Sequence, residues 1–358
     1  MTVHGGDVWQ VAEEIGIQPD ELLDFSANVN PRGLPPRALR RLAADAANPN
    51  LLKLYPDTSA RVLRMALSEQ LGIPVESIVI GPGAEALLSP ALRCFQVRRA
   101  LVPIPAFSEY RKVCAQQQIE FVPFPLNRSD CFRIPVDRLC GAIEEGRPGV
   151  VFLNNPHNPS GTLLEASEIR RILDVSAMLL DEAFIDYVPH ESLAAEAAAR
   201  TGLIVVRSLT KFYGCPALRA GYAVAHPDTV RQIASFLPTW PVTQFVLNAL
   251  ADAIREREYA EVSLLENAAE RGTLGQNLRS LGLTVFPAAA NYLFIELQTG
   301  MPQASELRRR LIHRHRILIR NCDSYAGLSQ GRYVRVAVRS GPDNTRLVEA
   351  FAEELPRP

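Results

Sequence analysis

Between about residues 77 and 225, short apolar runs rich in β-branched residues alternate with segments of helical pattern. Continuous apolar runs are typical of strands buried on both faces, and parallel strands need crossover helices that provide this cover. The alternation therefore predicts an α/β fold with a mostly parallel sheet covered by helices. The predicted strands are Ser77–Ile80, Ala100–Pro103, Phe121–Pro123, Val150–Leu153, Ala177–Asp181, Leu203–Arg207 and Tyr222–Ala225, and the predicted helices between them include Ala84–Phe95, Ser108–Gln117 and Glu165–Leu173.

After about Gln244 the pattern changes to that of a small α+β domain. We expect a long helical stretch to about Leu281, and prolines after a short first helix make the first 35 residues an extended arm. The chain is thus predicted to contain an N-terminal arm (residues 1–35), a large domain (36–244) and a small C-terminal domain (245–358). The predicted elements of the small domain are strand Asn291–Leu297, helix Ala304–His313, strands Ile317–Arg320 and Tyr333–Val338, and helix Asp343–Glu354.

Composition excludes several classes of protein. The 358 residues include 38 basic and 39 acidic side chains, so no basic excess exists for nucleic-acid binding. No apolar run approaches the roughly 20 residues of a membrane span, and the acidic start does not resemble a secretory signal. The six scattered cysteines form no C-x-x-C pair, and His313 and His315 are better explained as a basic helix end than as a chelator. We expect a metal-free, cytoplasmic protein.

Ligands of open α/β sheets bind beyond the carboxyl ends of the strands, so the residues that follow each strand are candidate site residues. Residues 81–86 (GPGAEA) follow the first strand and match G-x-G-x-x-A, which raises the alternative of a dinucleotide fold. The motif lies far from the N-terminus, however, and the next strand ends in no acid that could hold a ribose. The remaining interpretation is that backbone N–H groups at a helix N-terminus, at Gly83 and Ala84, bind a phosphate.

The chain contains only three lysines. Lys211 follows a predicted buried strand and is flanked by apolar and aromatic residues, which lowers the pKa of an amine and keeps it nucleophilic. Lys53 and Lys112 lie in polar or helical contexts and are expected to be solvated. Ser208 and Arg219 are placed to complete an anion site around Lys211.

Three further strand ends carry side chains with both a structural and a functional interpretation. Asp181 ends a buried strand, either as a satisfied structural carboxylate or as a partner of a ligand N–H. Asn158 lies in a turn that needs no function, but its amide could face a phenolate, and Phe107 is either core or a stacking surface for a flat ring. The flat ligand that uses a lysine, an acid, an amide, an aromatic face and a phosphate site together is pyridoxal 5′-phosphate.

Several motifs resemble those of fold-type I pyridoxal-phosphate enzymes of the class I/II aminotransferase family. They are NPSG (158–161), DEA (181–183), SLTK (208–211) and RAGY (219–222), and the nearest branch is that of the histidinol-phosphate aminotransferases. HGG (4–6), DFSANVNP (24–31), DEAFIDYVPHE (181–191), RSLTKFY (207–213), ILIR (317–320) and YVRVAVRS (333–340) further resemble the threonine-phosphate decarboxylases of cobalamin biosynthesis. That branch decarboxylates L-threonine O-3-phosphate to (R)-1-amino-2-propanol O-2-phosphate.

The resemblance implies a role for each matching residue. Lys211 would form the Schiff base with the cofactor, Asp181 would pair with the pyridinium, Asn158 would face O3′ and Phe107 would stack on the ring. Tyr55 of a second subunit would reach the cofactor phosphate, so a homodimer is implied. Gly83, Ala84, Ser208 and Arg219 would hold that phosphate, and the phosphorylated amino-acid substrate would be bound by His4, Gly5, Asn28, Asn158, Arg320 and Arg335.

Three departures and two alternatives remain at this stage. Pro82 and Glu85 replace side chains usual in the phosphate loop, so we expect the backbone to make the phosphate contacts there. Phe184 stands where aminotransferases usually have a tyrosine, and this difference favours the decarboxylases. The first alternative is an aminotransferase that acts on histidinol phosphate. The second is a cofactor-sensing regulator. Such regulators carry a DNA-binding domain upstream, and we expect that this chain has no room for one. Serine phosphate also remains open as the substrate.

Overall fold

A computed structural model describes residues 5–356. The strands are β1 (Leu23–Asp24), β2 (Ile78–Gly81), β3 (Arg99–Ile104), β4 (Glu120–Pro125), β5 (Gly149–Asn154), β6 (Ala177–Asp181), β7 (Leu203–Ser208), β8 (Gly221–Val224), β9 (Thr284–Val285), β10 (Tyr292–Glu296), β11 (Ile317–Leu318), β12 (Arg320–Asn321) and β13 (Tyr333–Ala337). The helices are α1 (Val8–Ile15), α2 (Pro36–Ala46), α3 (Arg61–Leu71), α4 (Ala84–Cys94), α5 (Ser108–Gln116), α6 (Val136–Gly146), α7 (Ala166–Leu173), α8 (Ala194–Ala199), α9 (Pro227–Ser235), α10 (Gln244–Arg255), α11 (Arg257–Ser280), α12 (Ala304–Arg310) and α13 (Gly341–Glu354).

The centre of the fold is a seven-stranded sheet in the order β2-β8-β7-β6-β5-β3-β4. The pairs β7–β6, β6–β5, β5–β3 and β3–β4 are parallel, whereas β8 is antiparallel to both of its neighbours. Both faces are covered. Leu180 and Val205 pack into the apolar core on one face, and the adjacent residues Leu179 and Ile204 pack into the core on the other. The prediction of a mostly parallel sheet covered by helices is confirmed.

A second, four-stranded antiparallel sheet, β12-β13-β10-β9, packs with α11, α12 and α13 around its own apolar core. The arm joins this part of the chain, since β1 pairs in parallel with β11. The predicted strand 317–320 is split at Ile319: Phe25 donates to the carbonyl of Leu318, and Phe25 accepts in turn from the N–H of Ala337. The inserted arm residue therefore separates the two short strands. The boundaries at 35/36 and 244/245 stay a prediction.

The single helical stretch expected from Gln244 to Leu281 is wrong, because the chain forms two helices, α10 and α11, with Glu256 between them. Its backbone leaves the helical region (φ −82°, ψ 78°). The Glu256 carboxylate accepts hydrogen bonds from the backbone N–H groups of Arg37 and Ala38, at 3.0 and 3.3 Å. These groups lie in the first turn of α2, where N–H groups have no partner within the helix. The break thus places an anionic cap on a neighbouring helix.

Across residues 5–356 the chain has no helix with both the length and the apolar character of a bilayer span.

Gly221, the first residue of β8, permits the close approach of this strand to the start of α4. A Cβ atom at Gly221 would lie 2.5 Å from the backbone nitrogen of Ala84 and 2.8 Å from the carbonyl carbon of Gly83. Both obstacles are backbone atoms, which cannot rotate away. Only glycine fits here, and it fixes the position of the loop that opens α4.

We predict that Gly221→Ala destabilises the cofactor-free protein by about 1–3 kcal/mol, the usual range for overpacking, and weakens cofactor binding. The measurements are thermal unfolding and a cofactor titration. Gly272→Ala is the matched control, because it lies inside α11 with open space around the added methyl group. That substitution should stabilise the protein by about 0.5–1 kcal/mol. Equal unfolding curves for the two variants would contradict the steric argument.

Candidate active site

The carboxyl ends of three neighbouring parallel strands meet at one cavity. Asn154, Asp181 and Ser208 are the last residues of β5, β6 and β7, and Lys211 follows three residues after Ser208. All four line a cavity of about 220 Å³. Strand pairing places Asn154 beside Asp181 in register. The rule that chemistry gathers at the strand ends of an open α/β sheet therefore located the cavity correctly.

The cavity brings together twelve of the predicted site residues: Gly5, Asn28, Gly83, Ala84, Phe107, Asn158, Asp181, Ser208, Lys211, Arg219, Arg320 and Arg335. Tyr55 is not among its walls; its side chain is 77% exposed and stacks on Trp240 with ring centroids 4.4 Å apart. His4 lies outside the described residues. The roles assigned to all these residues stay predictions.

Lys211 carries the amine of the cavity. Its burial lowers the pKa of the amine to about 8, and the positive charges of Arg335 and Arg219 act in the same direction. Lys112, by contrast, pairs with Glu109 at 2.8 Å, which raises its pKa and keeps it protonated. Of these two amines, only that of Lys211 has a substantial neutral, nucleophilic fraction near neutral pH.

Asp181 is held by two donors inside the protein. The hydroxyl of Tyr110 donates to Oδ2 at 2.7 Å, and the backbone N–H of Ala183 donates to Oδ1 at 2.9 Å. Burial raises the pKa of the Asp181 carboxyl to about 6, while the two hydrogen bonds and the charge of Lys211 oppose that rise. The carboxylate is fixed in orientation and retains free lone pairs for a donor in the cavity.

The start of α4 and Arg219 form a cradle for an anion. Gly83, the residue before α4, provides no side-chain cap for the N–H groups of the first turn, which have no partner within the helix. A Cβ atom at Gly83 would lie 2.8 Å from Nη2 of Arg219, so the guanidinium group lies directly against this glycine. The hydroxyl groups of Ser208 and Thr210, 3.0 Å apart, line the same cavity. Backbone donors, hydroxyls and a guanidinium together suit a phosphate.

Asn158 and Phe107 provide the polar and aromatic walls. The side-chain oxygen of Asn158 accepts hydrogen bonds from Arg335 and Tyr325, while its backbone N–H donates to Asn154 at 2.7 Å. Phe107 lies just before α5 and packs edge-on against Tyr110, with ring centroids 5.7 Å apart. Phe107 therefore lies against the cavity, and Tyr110, in the first turn of α5, lies against Asp181 at the end of β6.

Arg320 and Arg335 face each other across the antiparallel pair β12–β13. Both are buried, at 5% and 6% exposure. Arg320 donates to the hydroxyl of Ser324 at 2.7 Å, and Arg335 donates to the carbonyl of Ser26 at 3.0 Å. Nε of Arg335 has no hydrogen-bond partner in the described part of the chain, nor does any described carboxylate lie within 4.0 Å of Arg335. A buried guanidinium with a spare donor is chemically suited to an anion.

The arm closes another side of the cavity through Asn28, Gly5 and Ser26. Asn28 is 2% exposed, and its side-chain oxygen has no partner among residues 5–356, which indicates that a polar ligand completes the site. A Cβ atom at Gly5 would lie 2.3 Å from the carbonyl oxygen of Ser26, so only glycine can pass there. The next N–H, of Gly6, donates to the Ser26 hydroxyl at 2.8 Å.

Sequence reasoning missed Tyr110, Tyr325 and Asn154. Asn154 could have been found, because it directly follows the predicted strand Val150–Leu153 and the strand-end rule applies to it. Tyr110 lies inside α5 and is 1% exposed, so its sequence pattern is that of an ordinary core position. Tyr325 lies in the connection between β12 and β13 and has no local signal. No group of three or more His, Cys, Asp or Glu side chains suited to a metal ion occurs among residues 5–356.

The cavity fits pyridoxal 5′-phosphate by its donor set. It provides an amine with lowered pKa, an oriented carboxylate, an aromatic wall and a phosphate cradle that a Cβ at Gly83 would obstruct. The fold and the cavity together define a pyridoxal-phosphate-dependent enzyme of fold type I. The chain belongs to the aminotransferase class I and II family, whose family model matches residues 20–351.

Two groups of relatives within this family are similar to the chain. Threonine-phosphate decarboxylase of Salmonella typhimurium is 35% identical, and the match covers 99% of this chain and 97% of the relative. Histidinol-phosphate aminotransferase of Methanococcus aeolicus is 27% identical over 98% of this chain and 95% of the relative. Threonine-phosphate decarboxylases and the class I and II aminotransferases depend on pyridoxal phosphate.

Solved structures fall into the same two groups. L-threonine-O-3-phosphate decarboxylase from Porphyromonas gingivalis has a TM-score of 0.81 at 25% identity, covering 93% of this chain and 99% of that chain. Histidinol-phosphate aminotransferase from Clostridium acetobutylicum has a TM-score of 0.84 at 26% identity, covering 93% and 98%. These similarities confirm the predicted fold type.

We predict that Lys211 alone bonds the cofactor and that loading of the cofactor-free protein accelerates with pH up to about 8. At pH 7 about one in ten Lys211 amines is neutral, against roughly one in 3,000 for an ordinary lysine. Stopped-flow absorbance gives the pH profile, and borohydride followed by peptide mapping locates the label. Lys211→Arg should take up no label, because a guanidinium forms no imine. A label on Lys53 or Lys112 would refute the assignment.

We predict that Asp181→Asn lowers turnover by roughly 10²-fold or more, because the amide no longer holds a proton on the cofactor ring. The pKa of the Asp181 carboxyl in the folded wild-type protein, about 6, lies above its ordinary value. The wild-type protein therefore loses stability as the pH rises from about 4 to about 6, and the full cost of the buried charge is present at pH 8. The melting temperature of the cofactor-free variant at pH 8 should therefore be unchanged or higher.

The matched control is Asp186→Asn, which breaks the buried ion pair with Arg207 at 2.5 Å. That variant should melt at a lower temperature, because the buried Arg207 guanidinium loses its nearer carboxylate and retains that of Glu182, at 3.9 Å. Near-normal turnover of Asp181→Asn, or a large fall in its melting temperature, would make Asp181 a structural residue.

Proposed function

We propose that this chain catalyses the decarboxylation of L-threonine O-3-phosphate to (R)-1-amino-2-propanol O-2-phosphate and CO₂ in cobalamin biosynthesis. The observation that carries the proposal is the pairing of two buried arginines, Arg320 of β12 and Arg335 of β13, which both line the cavity. Nε of Arg335 has no hydrogen-bond partner among residues 5–356. A dianionic phosphate and a carboxylate together need this much positive charge. The relative at 35% identity supports the same substrate class.

Pyridoxal 5′-phosphate, when bound, supplies an electron sink for the pair of electrons left at Cα. Lys211 would bond it, Asp181 would keep its ring nitrogen protonated, and Gly83, Ala84, Ser208 and Arg219 would hold its phosphate. Phe107 would lie against the ring, and Asn158 would donate to its phenolic oxygen. Each of these groups lines the same cavity.

Lys211 is the residue we assign to proton transfer at Cα. Its pKa of about 8 lies close to neutral pH, so the amine can both release and accept a proton under working conditions. Nearby Arg335 and Arg219 stabilise its neutral form. The same amine therefore serves first as nucleophile and then as the acid that delivers a proton to the carbon that has lost CO₂.

The choice between decarboxylation and transamination depends on which bond at Cα stands perpendicular to the cofactor ring. A transaminase removes the Cα proton and keeps the carboxylate. A phosphate held by Arg320, Arg335 and the arm residue Asn28 would anchor the substrate at its other end and so favour loss of the carboxylate. His4 is part of this proposal by resemblance.

Phe184 supports the decarboxylase assignment. Its buried ring lines the cavity and packs edge-on against Tyr292 at 5.0 Å, so the position has no hydroxyl group. Asn158 is then the main side-chain donor we assign to the phenolic oxygen of the cofactor. The tyrosine common at this position in aminotransferases would add a second donor.

The second candidate is an aminotransferase that acts on histidinol phosphate or a related phosphorylated amine. The relatives at 27% identity and the structure at TM-score 0.84 favour it, because they share the fold and nearly all of the motifs. The two reactions differ in their co-substrate: an aminotransferase needs a 2-oxo acid, and a decarboxylase needs none. An assay with and without 2-oxoglutarate separates them.

We further propose a cytoplasmic homodimer in which Tyr55 of each subunit completes the cofactor site of the other. Tyr55 and the nearby Leu52 and Leu54 are exposed apolar side chains, and Tyr55 stacks on Trp240, which is also exposed. A contiguous group of this kind is typical of a protein interface. Tyr55→Ala should weaken both the dimer and cofactor binding, as measured by sedimentation and cofactor titration.

We predict that purified protein releases CO₂ from L-threonine O-3-phosphate without 2-oxoglutarate. We also predict that kcat/KM is lower for unphosphorylated threonine than for the phosphorylated substrate, by a factor on the order of 10³ or more. O-phospho-L-serine in the same assay measures the contribution of the substrate methyl group. Arg320→Ala and Arg335→Ala should reduce this difference in kcat/KM, because each lowers kcat/KM for the phosphorylated substrate only. The control is Arg309→Ala, because the Arg309 side chain is exposed and paired with Glu306. This variant should leave the difference in kcat/KM between the two substrates unchanged. Formation of glutamate from 2-oxoglutarate and histidinol phosphate, with no CO₂, would decide for the aminotransferase.

A further inference from the structure

Tyr325 is a wall residue of the cavity to which neither the motifs nor the family resemblance assign a role. It lies in the connection between β12 and β13 and is 6% exposed. Its backbone N–H donates to the carbonyl of Cys322 at 3.0 Å, which anchors the turn. The guanidinium carbon of Arg320 lies 5.4 Å from the ring centroid, within the range of a cation–π contact. The position of the ring is therefore restrained by the backbone of the turn and by the guanidinium of Arg320.

The hydroxyl group of Tyr325 closes a triangle with Asn158 and Arg335. It donates to the side-chain oxygen of Asn158 at 3.2 Å and accepts from Nη1 of Arg335 at 3.3 Å. The third side is the direct bond from Nη1 of Arg335 to the same Asn158 oxygen. The hydroxyl thus uses its donor and one acceptor position, and each corner of the triangle contacts both others.

The triangle determines which way the Asn158 amide points. Its oxygen receives two donors, so both of its lone pairs are used. The amide nitrogen makes no hydrogen bond within residues 5–356, and the residue lines the cavity. If the amide were reversed, its N–H groups would face the guanidinium of Arg335, which can only donate, and that hydrogen bond would be lost. Tyr325 and Arg335 therefore hold the Asn158 N–H groups toward the cavity.

The triangle also limits the movement of Arg335. Nη1 is bonded to Asn158 and Tyr325, and one N–H of Nη2 is bonded to Ser26, so Nε is the guanidinium nitrogen that has no partner among residues 5–356. An anion bound by this guanidinium group is thus held at a set position relative to the Asn158 amide. Loss of one corner would free the guanidinium to rotate about its long side chain.

We propose that Tyr325 is a positioning residue that ties the anion-binding Arg335 to the cofactor-facing Asn158 and so determines which bond at Cα breaks. The proposal rests on the proposed function, since it concerns the same cavity. With the triangle intact, the substrate anion and the cofactor ring keep one relative orientation, in which CO₂ leaves. Without the Tyr325 hydroxyl, the substrate gains freedom about the bond from nitrogen to Cα.

In that freer state the Cα proton departs in place of CO₂ in a larger share of turnovers. The amino group then remains on the cofactor as pyridoxamine 5′-phosphate, and the substrate leaves as its 2-oxo acid after addition of one water. The substrate would displace the Lys211 amine when it joins the cofactor, which releases no water, so solvent supplies the water of this step. Cα is oxidised as the aldehyde carbon of the cofactor is reduced, so no external oxidant takes part. The two products, CO₂ and the 2-oxo acid, can be counted separately.

The experiment compares Tyr325→Phe with the wild-type holoenzyme in three measurements. The first is the ratio of 2-oxo acid to CO₂ from L-threonine O-3-phosphate, expected to rise about tenfold, the effect of one hydrogen bond to a charged group. The second is the affinity of the holoenzyme for inorganic phosphate by calorimetry, expected to fall by a similar factor. The third is the pH midpoint of the visible absorption band of the bound cofactor, expected to shift.

Tyr187→Phe is the matched control, because Tyr187 is buried, does not line the cavity, and its hydroxyl has no partner in the described part of the chain. It should leave all three measurements unchanged. In an Asn158→Ala background, Tyr325→Phe should no longer shift the absorption midpoint, since it acts through Asn158. The proposal is overturned if Tyr325→Phe has the wild-type product ratio, phosphate affinity and absorption midpoint. It is also overturned if Tyr187→Phe changes these quantities as much as Tyr325→Phe does.

Two further outcomes are distinguishable. If the wild-type enzyme releases no CO₂ but Tyr325→Phe still weakens phosphate binding and shifts the absorption midpoint, the triangle stands and the decarboxylase assignment fails. If Tyr325→Phe does not unfold cooperatively, Arg335→Lys breaks the same triangle from another corner, because an ammonium lacks the fork of a guanidinium. An unchanged ratio and midpoint in Arg335→Lys then overturn the proposal.

Discussion

Parallel pairing of β5, β6 and β7 is the constraint on which the site depends. Because these strands run the same way and side by side, their last residues, Asn154, Asp181 and Ser208, arrive at one edge. Side chains alternate between the two faces, so both faces must be apolar and covered by helices. Hydrogen bonding of the sheet thus places the backbone of Asp181 beside the strand that leads to Lys211, and Tyr110 and Ala183 then orient the carboxylate.

Much of this was predictable from the sequence, since buried strands have a pattern of their own. The strand Ala177–Asp181 has the predicted bounds, and the turn at Gly83 opens a helix as expected. The break at Glu256 was not predictable, because its cause is the N-terminus of α2, more than 200 residues away in the chain. Local helical pattern carries no information about such a partner.

The same limit applies within the site. Lys211 and Asp181 could be singled out because they follow apolar runs. The opposition of Arg320 and Arg335 depends on the antiparallel register of β12 and β13, which no single motif encodes. Tyr110 has the sequence pattern of a core residue, and only the folded chain brings its hydroxyl within 2.7 Å of Asp181. Residues that orient others are therefore harder to find from sequence than residues that react.

The contact between Gly5 and Ser26 has a thermodynamic consequence. The carbonyl oxygen of Ser26 lies against Gly5 on one side and accepts a hydrogen bond from Arg335 on the other. Any displacement of this carbonyl alters both contacts at once. An anion that stabilises the present position of Arg335 therefore also stabilises the present position of the arm, and by reciprocity a well-seated arm tightens the hold of Arg335 on its anion. If Arg335 binds an anion, the affinity for that anion and the stability of the contact between Gly5 and Ser26 are thus coupled thermodynamically.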